Sequence, residues 1–197
     1  ETINQGVHPQ SVWDALFLSG GELLLRQRGI VSLHALTCTN AFRFAYDTAA
    51  DDMTRRLLLL QNTAFLPMFR EAMKNRGNVA DVDIEQVAAE PAPEPGTGAI
   101  EAIFSNLGGD RNLASRQSLA ALQGGLPPEQ LIDAARVLIF LKSGDAHDYK
   151  FSSAVLEDYY HVSPEFRDRF LAAGIYNLRG SGEKDSSLVE RTKAAIG

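Results

Sequence analysis

The sequence predicts an all-α protein, an irregular multi-helix bundle carrying a Pro-rich surface loop. Three observations carry that expectation. Apolar residues recur at the helical period of about 3.6 through most of the chain. No alternating apolar/polar run is long enough for a strand. Pro9, Asp51, Pro128 and Pro164 stand where helices would open, and Gly29 where one would close. Residues 1–197 are expected to form one helical domain, because a chain of this length that is 45% hydrophobic can bury a sizeable core.

From Pro9 to Arg28 the apolar positions Val12, Ala15, Leu16, Leu23 and Leu24 follow the helical period, and Gly29 ends that helix. A second helix is expected over residues 30–47, with Leu33, Leu36, Phe44 and Ala45 on or near one stripe. Asp51 and Asp52 lie where acidic residues favour a helix N-terminus. The third helix then runs through Met53, Leu57, Leu60, Ala64 and Met68 to Lys74, with Leu57 to Leu60 read as core and Pro67 expected to kink or break it. Residues 76–98 change character. Their Pro/Ala/Glu stretch, Ala88 to Gly96, reads as an exposed extended loop between two helical halves. Six further helices are expected over 99–107, 111–122, 128–142, 146–161, 164–176 and 187–196. No repeat of solenoid length stands out.

Composition narrows the function. A net charge of −6 and a pI of about 5.2 argue against nucleic acid or an anionic membrane as the main partner. Cys38 is the only cysteine, so neither an internal disulfide nor a cysteine-built zinc site is available. No apolar run approaches the roughly 20 residues that a membrane span needs, and a cytoplasmic setting is the expectation. The chain opens on Glu1 rather than Met and shows no signal-peptide pattern. No glycine-rich nucleotide fingerprint follows a strand, and no P-loop or nucleophile elbow is present.

Two segments carry the candidate chemistry: Ser32-Leu33-His34-Ala35-Leu36-Thr37 and Asp145-Ala146-His147-Asp148-Tyr149-Lys150-Phe151. Each places a histidine, the commonest neutral metal ligand among side chains, where a helical reading turns it inward. Thr37, Thr39 and Asn40 make the first segment unusually polar, as the wall of a lined cavity would be. A core histidine bonded to a carbonyl or to Thr37 is the plainer reading of His34. Lys150 follows His147 by three residues and so shares its face. It precedes Phe151, Ala154 and Val155, which look buried. A buried lysine loses its charge readily, and a neutral amine can take up CO2 as a carbamate, an anionic metal donor. The plainer reading is a capped helix start with Lys150 in solvent. His161, at helical spacing from Glu157 and Asp158, and Glu22 are further candidate ligands, with a surface hydrogen bond as the alternative for His161. His8 reads as solvated, and Cys38 as a small core residue.

These segments resemble the questin oxidase-like family. Gly29-Ile30-Val31-Ser32-Leu33-His34-Ala35-Leu36-Thr37 is similar to the family's apolar run into His-Ala-Val-Thr, and Asn40-Ala41-Phe42-Arg43 to the Ala-Leu-Arg that follows. Leu57 to Phe69 resembles the next family helix. Asp145 to Phe151 is similar to an acidic-His-x-x-Lys-apolar motif, and Phe170-Leu171-Ala172-Ala173 to a following Tyr-Leu-Ala-Ala. The resemblance covers roughly residues 20–176 and the family's C-terminal half only; the further histidines of the N-terminal half have no counterpart here. It implies a metal-dependent oxygenase that uses O2 on a small polycyclic aromatic or quinone-type substrate, by Baeyer–Villiger oxidation or ring cleavage. It also implies non-haem iron held by histidines and a carboxylated lysine. Carried over, His34 and His147 would bind the iron and Lys150 would bear the carbamate. A second chain or an N-terminal half would complete the site, or His161 or Glu22 would. The alternatives are a non-catalytic helical partner or scaffold of the same fold, and a carrier of an apolar ligand lined by Phe42, Phe44, Tyr46, Phe65 and Phe69.

Overall fold

Each helix of this protein begins at a residue suited to begin it. Pro9 opens α1 (Pro9–Arg26), where its missing N–H costs nothing, and the His8 ring accepts from the Gln10 amide at 3.2 Å. α2 (Ile30–Thr48) follows the short break at Gly29. Asp51 caps α3 (Asp52–Lys74) by accepting from the Thr54 amide at 2.9 Å. α4 (Thr97–Asn106) leads to α5 (Arg111–Gln123), capped by Asp110 through the Leu113 amide at 2.9 Å. Pro128 opens α6 (Pro128–Lys142), and Asp145 caps α7 (Ala146–Asp158) through the amides of His147 and Asp148. Pro164 opens α8 (Pro164–Ile175), and Ser186 caps α9 (Ser187–Ile196). The structure, a computed structural model, describes residues 3–197. Among these residues it is all-helical, with two additional 3₁₀ turns, Ile3–Gln5 and Ile84–Gln86, and no strand.

The bundle is irregular, as expected, and its two halves interleave. α1 packs against α2, α3 and α8, α2 against α7, and α8 against α5. The core runs along α1 through Trp13, Leu16, Phe17 and Leu24, then into Leu36, Phe151, Val155, Phe170 and Leu171. Each such side chain contributes about 1.5–3 kcal/mol when buried. Small residues set the closest approaches. A β-carbon at Gly20 would lie 2.8 Å from Leu36 of α2, and one at Gly21 3.2 Å from both Ala173 of α8 and Ile84. α1 therefore carries α2 and α8 on adjacent sides.

Three expectations change. α3 passes through Pro67 without a break. Pro67 lies on the solvent side, where the carbonyl that its ring leaves unbonded can be hydrated. α3 also buries a different face from the expected one. Leu59, Asn62, Leu66 and Met73 turn inward, while Met53, Leu57, Leu60 and Met68 are 57–66% exposed. The sequence holds apolar residues on both faces of this helix, so periodicity alone points to the wrong stripe. Finally, α7 ends at Asp158 rather than His161, because the amides of His161 and Val162 both turn back to the Asp158 carbonyl before Pro164 starts a new helix.

The expected loop over 76–98 is extended but tied down. Arg169 of α8 donates to the carbonyls of Ile84 and Val87 at 2.9 and 3.0 Å. The Glu90 amide donates to the Arg116 carbonyl at 3.1 Å, and the two side chains form an ion pair at 2.7 Å. Residues 91–95 then arch over the α5–α6 turn, enclosing a cleft of about 480 Å³.

Candidate functional site

The seam between α2 and α7 brings the two motif histidines together. The rings of His34 and His147 lie edge to face, with centroids 5.8 Å apart. His34 is half-buried on α2 and its imidazole has no hydrogen-bond partner among the described residues. The expected bond to Thr37 is absent; the Thr37 hydroxyl instead donates, at 3.5 Å, to the His34 backbone carbonyl. Burial, then the nearby Lys150 ammonium and the His147 ring, hold the His34 imidazole below the usual histidine range. His34 is therefore mainly neutral at pH 7, with the lone pair of one ring nitrogen available.

α7 positions the other half. Its first turn is fixed from outside the bundle: Asp148 accepts from the Gly144 amide at 3.2 Å and is held by two guanidinium nitrogens of Arg179. Arg179 is itself anchored to Glu183 at 2.7 Å. His147 follows the capping Asp145, whose carboxylate lies 3.5 Å from its Nδ1. The inward orientation expected for His147 is not found: its side chain is 52% exposed. Nor is Lys150 buried; it is exposed, and among the described residues it makes no ion pair. The reason is the pitch of α7. Its buried stripe is Phe151, Ala154, Val155 and Asp158, and Lys150 falls on the flank of that stripe, at the mouth of the seam. Its charge is felt by both His34 and Cys38, so it stands beside them without sharing their burial. Cys38, one turn beyond His34, is half-buried, and burial pushes its thiol up.

Glu22 and His161 do not join this group. The Glu22 carboxylate is engaged with Arg26 at 2.9 Å and accepts the Ile84 amide at 3.1 Å, fastening the 3₁₀ turn to α1. His161 sits past the end of α7, its carbonyl accepting from Gln10 at 2.8 Å and its Nδ1 buried without a partner. Among the described residues no three His, Cys, Asp or Glu side chains form a group that could hold a metal. The seam thus offers two imidazoles, a neighbouring ammonium and, beside His147, the carboxylate of Asp145. The burial on which a carbamate at Lys150 would depend is missing. The site is also open. A cleft of about 690 Å³ between α6 and α7 is lined by Phe140, Tyr149, Leu156 and Tyr160 and not by either histidine.

At its other end the same seam holds a residue that spacing alone left unassigned. Asp158 has no exposed surface. Its Oδ1 accepts from Asn40 of α2 at 2.9 Å, and its Oδ2 has no partner. Burial, reinforced by the adjacent Glu157 and opposed by Asn40 and Arg43, pushes its carboxyl up to about 8. The helical spacing Phe151–Ala154–Asp158 was the available signal.

Comparison with protein families, curated proteins and solved structures finds no match to this chain. No helix among the described residues is long and apolar enough to cross a membrane.

Proposed function

We propose that this chain supplies one half of a metal-dependent oxygenase site, with His34 and His147 as its two imidazole donors. The 5.8 Å ring pair carries the reading. Neutral His34 and solvent-accessible His147 are each fit to bind a metal. Two donors fall short of the three protein ligands that a catalytic metal usually keeps, so the remaining ligands would come from another polypeptide or another part of a longer one. Iron, where bound, would supply oxygen activation. The chain's own groups would do the rest. Lys150, exposed at the mouth of the seam and without an ion pair among the described residues, would draw in an anionic ligand or the oxyanion of a substrate. The aromatic walls of the α6–α7 cleft, where Phe140 and Tyr149 ring centroids lie 6.3 Å apart, would seat a planar aromatic substrate.

One observation favours a second reading, a non-catalytic partner subunit: the outward apolar face of α3, which a companion would cover. Ferrous iron titrated anaerobically into the purified chain separates the two. The oxygenase reading expects binding that His147→Ala weakens by at least about tenfold, since even the outer partners of metal ligands are worth that much. His147 is exposed, so the variant folds. Equal iron binding by wild type and variant overturns it in favour of the partner subunit.

A further inference from the structure

The α2–α7 seam closes over two orphaned polar atoms. Asp158 Oδ2 and His161 Nδ1 are both buried without a partner. Native interiors rarely leave such groups unmet, because each costs the free energy of its lost hydration. The corner around them is densely connected. Asn40 of α2 donates to Asp158 at 2.9 Å and lies 3.4 Å from Glu157. Arg43, one turn along α2, donates to Gln10 at 3.1 Å, pairs with Asp47 at 2.8 Å and sits over the Trp13 ring. Gln10 of α1 in turn donates to Asp14 and to the His161 carbonyl. The charged and titratable groups facing Asp158 are thus Arg43 from α2, Glu157 on its own helix, and, in the same corner, Asp14 from α1 and His161 from the α7–α8 turn. Arg43 forms no hydrogen bond with the carboxyl, and Asn40, its sole hydrogen-bonding neighbour, is uncharged. A carboxylic acid suits this place; a carboxylate, with one neutral donor and Glu157 beside it, does not.

We propose that the α2–α7 seam is a proton-operated latch: a protonated Asp158 lets the two helices close and hold His34 against His147, and loss of that proton loosens them. The device rests on packing alone and is independent of what the imidazoles bind. Its direction follows from linkage. The closed seam holds the proton up to about pH 8, whereas an opened, hydrated Asp158 releases it in the ordinary carboxylate range. Closure is therefore strongest below that range, weakens steadily as pH rises toward 8, and changes no further above it. His34 and His147 ride on the same two helices, so the pH that opens the Asp158 end also frees the histidine end.

Amide hydrogen exchange of the full chain between pH 6 and 9, wild type against Asp158→Asn, tests this. Intrinsic exchange varies with pH equally in both proteins and cancels in their ratio. In α2 and α7 the ratio of wild-type to variant rates is expected to climb about tenfold per pH unit below pH 8 and then level, while in α5 it stays flat. A flat ratio in α2 and α7 overturns the latch. An identical climb in α5 also overturns it, because Asp158 would then govern global stability and no local opening. Should Asp158→Asn fail to fold, Glu157→Gln serves. Glu157 is exposed, and removing its charge lowers the pH at which wild-type exchange in α2 levels relative to α5. No downward movement of that point overturns the proposal.

Discussion

Gly174 of α8 lies so close to Val155 of α7 that a β-carbon would overlap its Cγ1. The valine is fully buried, and a close-packed interior leaves it little room to turn aside. Gly174→Ala is therefore expected to destabilise the protein by about 1–3 kcal/mol despite alanine's better helix propensity. A urea midpoint lowered at unchanged slope is the check. Motif residues were legible unevenly. The motif resemblance paired His34 with His147, which do lie side by side, but the inward orientation read for His147 was misleading, since its ring is exposed. The exposure of Lys150 was not, since one step around α7 separates a buried position from a flanking one, and only the tertiary contact with α2 decides which residues fall inside. Asp158 shows the reverse. It shares the helical stripe of Phe151 and Ala154, yet its acidic type concealed its burial.

The helices themselves were read with errors of a few residues, because their start signals are chemical and local. α7 illustrates what such a signal does for the site. The Asp145 carboxylate takes the amides of His147 and Asp148, and those bonds hold it below the usual carboxylate range. A group depressed in the folded state stabilises above its unfolded value and stops doing so as pH falls through its folded one. Protection of the His147 and Asp148 amides, measured relative to their intrinsic exchange at each pH, is accordingly expected to fall several-fold once acid protonates Asp145. Asp145→Ala should produce the same loss of protection at neutral pH, leaving α5 unaffected. α3 exposes the limit of reading elements from sequence. Its two faces are both apolar, and which one meets α1 and α2 depends on partners that no local pattern encodes.

At the scale of the molecule, α3 carries four of the exposed large apolar side chains. Met53, Leu57, Leu60 and Met68 of α3, with Phe44 of α2 also exposed, lie outside the core. Charge placed there has no packing to disturb. Leu57→Glu with Leu60→Glu is expected to leave the unfolding free energy within about 0.5 kcal/mol of wild type, and to cut binding of a hydrophobic-surface dye. A loss of several kcal/mol would instead mean that this face is internal. Residues 88–95, almost all solvent-facing, join a first half ending in the 3₁₀ turn to a second beginning at α4, yet the halves meet elsewhere: α1 lies on α8, and α2 on α7. Continuity of the backbone at Pro91–Pro95 is thus not what keeps the fold together. A nick there would leave two fragments still clasped by Arg169 and the shared core, so the polypeptide behaves as a pair of complementary pieces that happen to be translated as one.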